Sequence, residues 1–393
     1  MIDFELPYGV KLTKKMINTM GHTIFRKLAR KYDLYENEHR EVVEFKNFGP
    51  MMSMPRGSGG RPKPGERTRN GLGTVVAAEE MAWADAGLML AMPGPGIGQS
   101  AIQAVGTPEQ KERFGKHVTA MCITEPGCGS DSSAVKTTAT LDPETNEWII
   151  NGEKIFITGG DKAQAYVVWA TLDRSRGKLA VKSFVVERDR PGVTLTKLEH
   201  KMGIRASDTA AVVFENVRIP YDNILGSPQI EQEAGFKASR KFFDLTRPGV
   251  AAIGVGVGRA ALDFTKETLE QEGFTFPYDK GLHQLSAVQH DMLEMEANLE
   301  AARLLTWRAA SMADCDEPNS KEASMAKAKA GRAATLVTQR CVALLGPRGY
   351  SCEWLVEKWA RDCKINDIYE GTGQIQMLII ARNILGFGAD KLK

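Results

Sequence analysis

Apolar and polar positions change their period twice along the chain. Up to about residue 117 they recur at helical spacing. Residues 11–20 and 25–31 read as charge-rich helices, and the spacing over 75–86 continues through Ile97 to Ala104. Thr107 followed by Pro108 supplies an N-cap with proline at the first helical position. Residues 50–65 break the period with repeated Met, Pro and Gly and read as a long loop. From about 118 the runs become short and β-type. Residues 148–158 read as two strands around Asn151-Gly152, a strong hairpin signal. Further strands are expected at 166–171, 181–186, 193–196 and 211–214. Helical spacing returns from Ala234, in segments at 236–272, about 284–314, about 320–345 and after Thr372. The order predicts an α+β chain of three domains: a helical domain at 1–117, an antiparallel β-barrel or sandwich at 118–235, and a four-helix bundle at 236–393.

Composition narrows the function without naming it. A chain of 393 residues can bury a large core, and 42% hydrophobic with 25% charged residues is ordinary for a globular protein. The 51 basic residues nearly balance 49 acidic ones, so neither nucleic acid nor a membrane surface is an expected partner. No run approaches the ~18 apolar residues of a membrane span. The first residues lack the basic and apolar regions of a signal peptide, so a cytoplasmic protein is expected. The six cysteines are scattered without a C-x-x-C pair, which predicts reduced thiols and no metal site.

Three stretches carry candidate chemistry. Near the end, Asn366-Asp-Ile-Tyr-Glu-Gly-Thr-Gly-Gln-Ile-Gln376 places Tyr369 and Glu370 before Gly371 and a helix capped by Thr372. Glu370 there is either a general base on an exposing loop or an ordinary acid at the positive end of a helix; this stretch alone favours the ordinary acid. Residues 121–134, with Thr124, Gly129 and Ser130, could offer N–H groups and hydroxyls to a phosphate or a heteroaromatic edge, or form a plain glycine-rich turn. Gly254, Gly256 and Gly258 lack the third glycine of a dinucleotide fingerprint and a preceding strand, so close helix packing is the better account.

Together these stretches resemble the acyl-CoA dehydrogenase family of flavoproteins. The resemblance lies in Ile123-Thr-Glu-Pro-Gly-Cys-Gly-Ser-Asp131, Asn151-Gly-Glu-Lys-Ile-Phe-Ile-Thr158, Arg205-Ala-Ser-Asp-Thr209, Phe243-Asp-Leu-Thr-Arg-Pro248 and Ile368-Tyr-Glu-Gly-Thr372, with Gly106-Thr-Pro-Glu-Gln-Lys-Glu-Arg113 as a weaker helper. It implies α,β-desaturation of an acyl-CoA thioester, with a base taking the α-proton and the β-hydrogen leaving as hydride to flavin N5. Glu370 is the implied base, with its own N–H and a flavin ribityl hydroxyl holding the enolate oxygen. Some members carry the base at the position of Thr246, where a threonine cannot serve. Arg247 is implied to support the loop and substrate, Asp244 and Ser130 to contact CoA, and Tyr369 and Gly371 to border the substrate. FAD contacts are implied at Met121, Ile123, Thr124, Gly129 and Ser130, at Phe156 and Thr158 against the isoalloxazine, and at Thr372 and Gln374 towards the adenosine. Phe156 stands where a tryptophan is common.

The chain departs from the family at three places, one of them the 56–72 loop, which replaces the usual Pro-Glu-x-x-Gly-Gly segment. The segment 272–278 lacks the usual Arg-x-x-Phe-Gly, and 343–347 lacks the usual Gln-Ile-Leu-Gly-Gly; both missing side chains would serve a neighbouring subunit's FAD. The resemblance therefore leaves open a homotetramer with rewired contacts, such as Arg348 in place of the lost arginine, or a heterotetramer with a different subunit. The implied electron acceptor is an electron-transfer flavoprotein. An enoyl-CoA reductase, an acyl-CoA oxidase and a pure scaffold are the alternatives.

Overall fold

The structure is a computed structural model that describes residues 6–34, 36, 42, 45, 70–132, 134–230, 234–388 and 391, the side chains of 234–243 excepted. The loop expected at 50–65 lies outside these residues.

Helix α1 (Tyr8–Met20) passes through one π-helical turn (Gly21–Phe25) into α2 (Arg26–Leu34). Asn70 caps α3 (Gly71–Ala91) by accepting from the Gly73 N–H. The helical spacing past residue 91 does not form one helix. Pro93, Gly94, Pro95 and Gly96 follow Ala91, and α4 (Gly98–Val105) starts afresh beyond them. The Thr107 cap is present as a reciprocal capping box with Gln110 and opens α5 (Pro108–Phe114).

Eight strands then form one sheet: β1 (Thr119–Cys122), β2 (Thr138–Asp142), β3 (Glu147–Thr158), β4 (Ala165–Thr171), β5 (Val181–Glu187), β6 (Val193–Leu198), β7 (Thr209–Pro220) and β8 (Ile224–Leu225). Their order is β6-β7-β3-β2-β4-β5-β8, with β1 also on β4, so the path does not close into a barrel. Most pairs are antiparallel, whereas β1 and β2 run parallel to β4 along one of its edges. Alternation assigns the two faces. Tyr166, Val168 and Ala170 of β4 enter the main sheet core, while Ala165 and Val167 meet Ile102 and Phe114 of α4 and α5.

The Asn151-Gly152 hairpin is not formed. Residues 147–158 are a single strand, and Asn-Gly is taken up as a bulge where β3 slips register against β7. Asn151 exchanges hydrogen bonds with Asn216 across that bulge, and a Cβ on Gly152 would lie 2.4 Å from Thr137 Oγ1. The turn falls earlier, between β2 and β3, where Asn146 takes a left-handed φ of 52°.

The C-terminal helices are α6 (Ala234–Gln271), α7 (Ala287–Asp314), α8 (Ser320–Leu345), α9 (Pro347–Tyr350), α10 (Val356–Cys363) and α11 (Gly373–Leu385). The long α6 packs against α3, α7, α8 and α10, and α11 lies on α8. Two of the three alternating glycines of α6 serve this packing. A Cβ on Gly256 would sit 2.2 Å from the Glu79 carbonyl of α3, and one on Gly258 would sit 2.7 Å from Leu299 of α7. Among the described residues no helix is long and apolar enough to cross a membrane.

Candidate active site

Helix α10 runs into a 3-10 turn (Lys364–Asp367), and Ile368, Tyr369, Glu370 and Gly371 bridge it to α11. Thr372 caps α11 as expected, accepting from the Ile375 N–H. The bridge is tightly specified. Glu370 has φ 56° and Gly371 φ 93°, two successive left-handed residues. A Cβ on Gly371 would lie 2.5 Å from Gln376 Nε2, and one on Gly373 would lie 2.4 Å from Asp367 Oδ1. Gln376, fully buried on α11, donates to the carbonyls of Gly371 (3.0 Å) and Glu370 (3.4 Å). Tyr369 donates its hydroxyl to Asn366 Oδ1.

Helix α6 supplies the other wall. Thr246 Oγ1 donates to Glu370 Oε2 at 3.2 Å. Burial pushes the Glu370 carboxyl above the usual carboxylate range, against the opposing pull of the Thr246 hydroxyl, the Arg247 guanidinium and the Lys327 ammonium. Arg247 is buried and pairs with Asp244 at 3.0 Å. The Asp244 carbonyl accepts from Asn319, which also bonds the Ala309 carbonyl and so ties the start of α8 to this wall. Phe243, which opens that motif, lies outside the described side chains.

A second group forms where β1 leaves the sheet beside β3. The Ile155 N–H donates to the Thr124 carbonyl at 2.9 Å. Met121 sends its side chain into the core beneath α4 and α5, Ile123, Thr124 and Thr158 are half-buried, and Gly129 and Ser130 are exposed. Beneath them lies an ion pair between two of the motifs: the fully buried Lys154 Nζ reaches Glu125 Oε1 (2.7 Å) and the Ile123 carbonyl (3.0 Å). Glu125 also accepts from the Lys136 and Thr137 N–H groups and the Thr137 hydroxyl. Burial works to raise its pKa, but Lys154 and these donors hold it below the usual range.

Backbone strain marks the same places. Six non-glycine residues have positive φ among the described residues, and three of them, Asn146, Asn216 and Asp316, are types that tolerate it. The other three are Phe156 (58°), Ile204 (47°) and Glu370 (56°), each inside or directly beside a family motif. Phe156 sits in a second β3 bulge, between the pairs Lys154–Val212 and Ile157–Ala210, and the residue is 59% exposed. Ile204 donates its N–H to Asp362 of α10 at 2.6 Å, which joins the 205–209 motif to the helix leading to Glu370.

The predicted residues therefore gather into two groups, one around Glu370 with Asp244, Thr246, Arg247, Tyr369, Gly371 and Thr372, and one around the β1–β3 junction. Gln374 is exposed on the first turn of α11. Sequence reasoning missed Lys327 and Asn319, and it quoted Asn366, Gln376, Glu125 and Lys154 without a role. Lys327 had a readable signal: it stands four after Ala323 and three before Ala330, both buried, on the same face of α8.

Residues 120–217 match the family described as acyl-CoA dehydrogenase, middle domain, and residues 233–385 the one described as acyl-CoA dehydrogenase, C-terminal domain. The mitochondrial short-chain specific acyl-CoA dehydrogenase of Mus musculus is 39% identical over 290 residues, 72% of this chain and 68% of that protein. Acryloyl-CoA reductase (NADH) of Anaerotignum propionicum is 33% identical over 393 residues, 98% of this chain and 96% of that protein. The solved structure of butyryl-CoA dehydrogenase from Megasphaera elsdenii matches with a TM-score of 0.81 at 31% identity, over 98% of this chain and 100% of that one. Similarity at this level along nearly the whole length, with family matches on both sides of the site, is decisive: the chain belongs to the acyl-CoA dehydrogenase family.

Proposed function

We propose that the chain is an FAD-dependent acyl-CoA dehydrogenase in which Glu370 removes the α-proton of an acyl-CoA thioester. The observation that carries this is the Glu370 carboxyl itself, held above the usual carboxylate range by burial and met by the Thr246 hydroxyl. The Glu370 N–H makes no hydrogen bond among the described residues and is available to a developing enolate oxygen. Arg247, fixed by Asp244, keeps positive charge beside the carboxylate and the thioester.

The residues present fit FAD. An apolar ring held outward by a strained bulge, as Phe156 is, suits a planar aromatic partner. The space a Cβ would take at Gly129 is open, which suits a close backbone approach. Met121, Ile123, Thr124, Gly129 and Ser130 would hold FAD together with Phe156 and Thr158, with Thr372 and Gln374 towards the adenosine. Bound there, FAD supplies the hydride acceptor.

Glu370→Gln tests the reading. The variant is expected to fold and keep its flavin while losing substrate-driven flavin bleaching. Bleaching at the wild-type rate would place the base elsewhere.

A second reading is reduction of an enoyl-CoA, favoured by the near-complete coverage of the acryloyl-CoA reductase. Glu370 would then return a proton to the α-carbon, a task a raised pKa serves equally well. Stopped-flow rates in both directions separate the two. An electron-transfer flavoprotein is the proposed electron partner, and the proposed assembly is a homotetramer. Arg348 lies 2.9 Å from Glu272, so a guanidinium stands at the segment that lacks the family arginine, which favours rewired contacts over a different subunit. Light scattering and flavin content of the chain expressed alone test this.

A further inference from the structure

Lys327 is a buried charge that the proposed chemistry leaves without a role. It lies in the middle of the alanine-rich α8 with 1% of its surface exposed. Its Nζ donates to the Gly371 carbonyl at 2.6 Å. That carbonyl already accepts from Gln376 Nε2, so hydrogen bonding alone does not require an ammonium there. A buried charge is costly, and an apolar side chain of similar volume commonly serves the fold as well or better. What the ammonium adds is charge beside the catalytic turn.

The groups facing it are few. Asp367 from the 3-10 turn and Glu370 from the bridge favour its charge, whereas Arg247 from α6 opposes it. The adjacent Tyr369 hydroxyl is taken by Asn366, and Arg247 is paired with Asp244.

We propose that Lys327 is a positioning residue for the Glu370 base: its ammonium clamps the Gly371 carbonyl, fixing the left-handed Glu370–Gly371 turn, and its charge favours the ionised carboxylate. This rests on Glu370 being the base. Burial drives the ammonium down to about 8, so Lys327 still carries its charge at neutral pH. With the Thr246 hydroxyl and the Arg247 guanidinium, it is there one of three groups that oppose the burial that raises Glu370.

The test uses the flavin-loaded protein and its Lys327→Met and Lys327→Gln variants. The first readout is an infrared titration of the Glu370 carboxyl, identified as the band missing from Glu370→Gln. The second is the pH profile of substrate-driven bleaching. In both variants Glu370 is expected to bind its proton more tightly. The bleaching rate at neutral pH falls in proportion and recovers as pH rises, while substrate affinity and Tm stay near the wild-type values. Lys327→Gln retains the higher rate at high pH, because its amide still donates to the Gly371 carbonyl. An unmoved Glu370 titration in a folded variant overturns the proposal. So does loss of fold in both variants, which would make Lys327 a structural ion. Failure of Glu370 as the base appears separately, as undiminished bleaching by Glu370→Gln.

Discussion

Thr246 and Glu370 are 124 positions apart in the chain, and their side chains meet at 3.2 Å. The hydroxyl donates to the carboxylate, so it stabilises the form that can accept a proton. Thr246→Val keeps the shape and removes the donor. A hydrogen bond to a charged group contributes about 1.5–3 kcal/mol, so the bleaching rate near neutral pH is expected to fall roughly tenfold or more. The loss should shrink as pH rises, and anaerobic stopped-flow across pH reads both effects. A pH-independent loss would mean that Thr246 acts by packing.

Glu370 also sets a sign for stability against pH. Its folded pKa is raised by burial, so the folded chain holds this proton more tightly than the unfolded chain. The group favours the fold at pH values where it is protonated, and that benefit is lost as pH rises through the folded pKa. Glu370→Gln removes the titration. The variant is expected to gain Tm over wild type as pH rises from the unfolded carboxylate range through the folded pKa, and to gain none below it. Thermal melts at a series of pH values check this, and a constant difference would contradict the raised pKa.

The layout of elements and the Glu370 group were largely readable in the sequence, because helical period, proline and glycine breaks and the Thr372 cap are local signals. What was lost was what tertiary context overrides. Asn151-Gly152 carries a strong hairpin signal, yet pairing of β3 with β7 on both sides of it absorbs the dipeptide as a bulge. β2 was missed because its alternation is short and weak, with only Ala139 and Leu141 between Thr138, Thr140 and Asp142. Asn319 escaped notice because a polar side chain that bonds a distant carbonyl has no local signature, and Gln376 was quoted without its role for want of a signal that its amide folds back on the turn. The Phe156 conformation is likewise a property of the β3–β7 register.

The Glu125–Lys154 pair is the hidden link between two of the motifs. Removing only the cation leaves a buried carboxylate short of one partner, and breaking such a pair costs about 3–5 kcal/mol. Lys154→Met is therefore expected to lower the urea midpoint strongly and, because Lys154 also holds the Ile123 carbonyl, to weaken flavin retention. Adding Glu125→Gln should recover part of the stability, since an amide needs no counter-ion. If the double variant is less stable than Lys154→Met, the pair is not the reason for the loss.

Phe156 offers a direct contest between stability and function. A non-glycine residue in the left-handed region costs roughly 1–2 kcal/mol, and here the residue is an aromatic one with an exposed ring. Asparagine tolerates that region without the extra chain entropy of glycine. Phe156→Asn is thus expected to stabilise the flavin-free protein by about 0.5–1 kcal/mol in urea denaturation, on the scale of that relieved strain. The same change removes the apolar face proposed to lie against the isoalloxazine, so the flavin content of the purified protein should fall. Raised stability with unchanged flavin content would remove Phe156 from the cofactor site; lowered stability would show that the bulge depends on the ring.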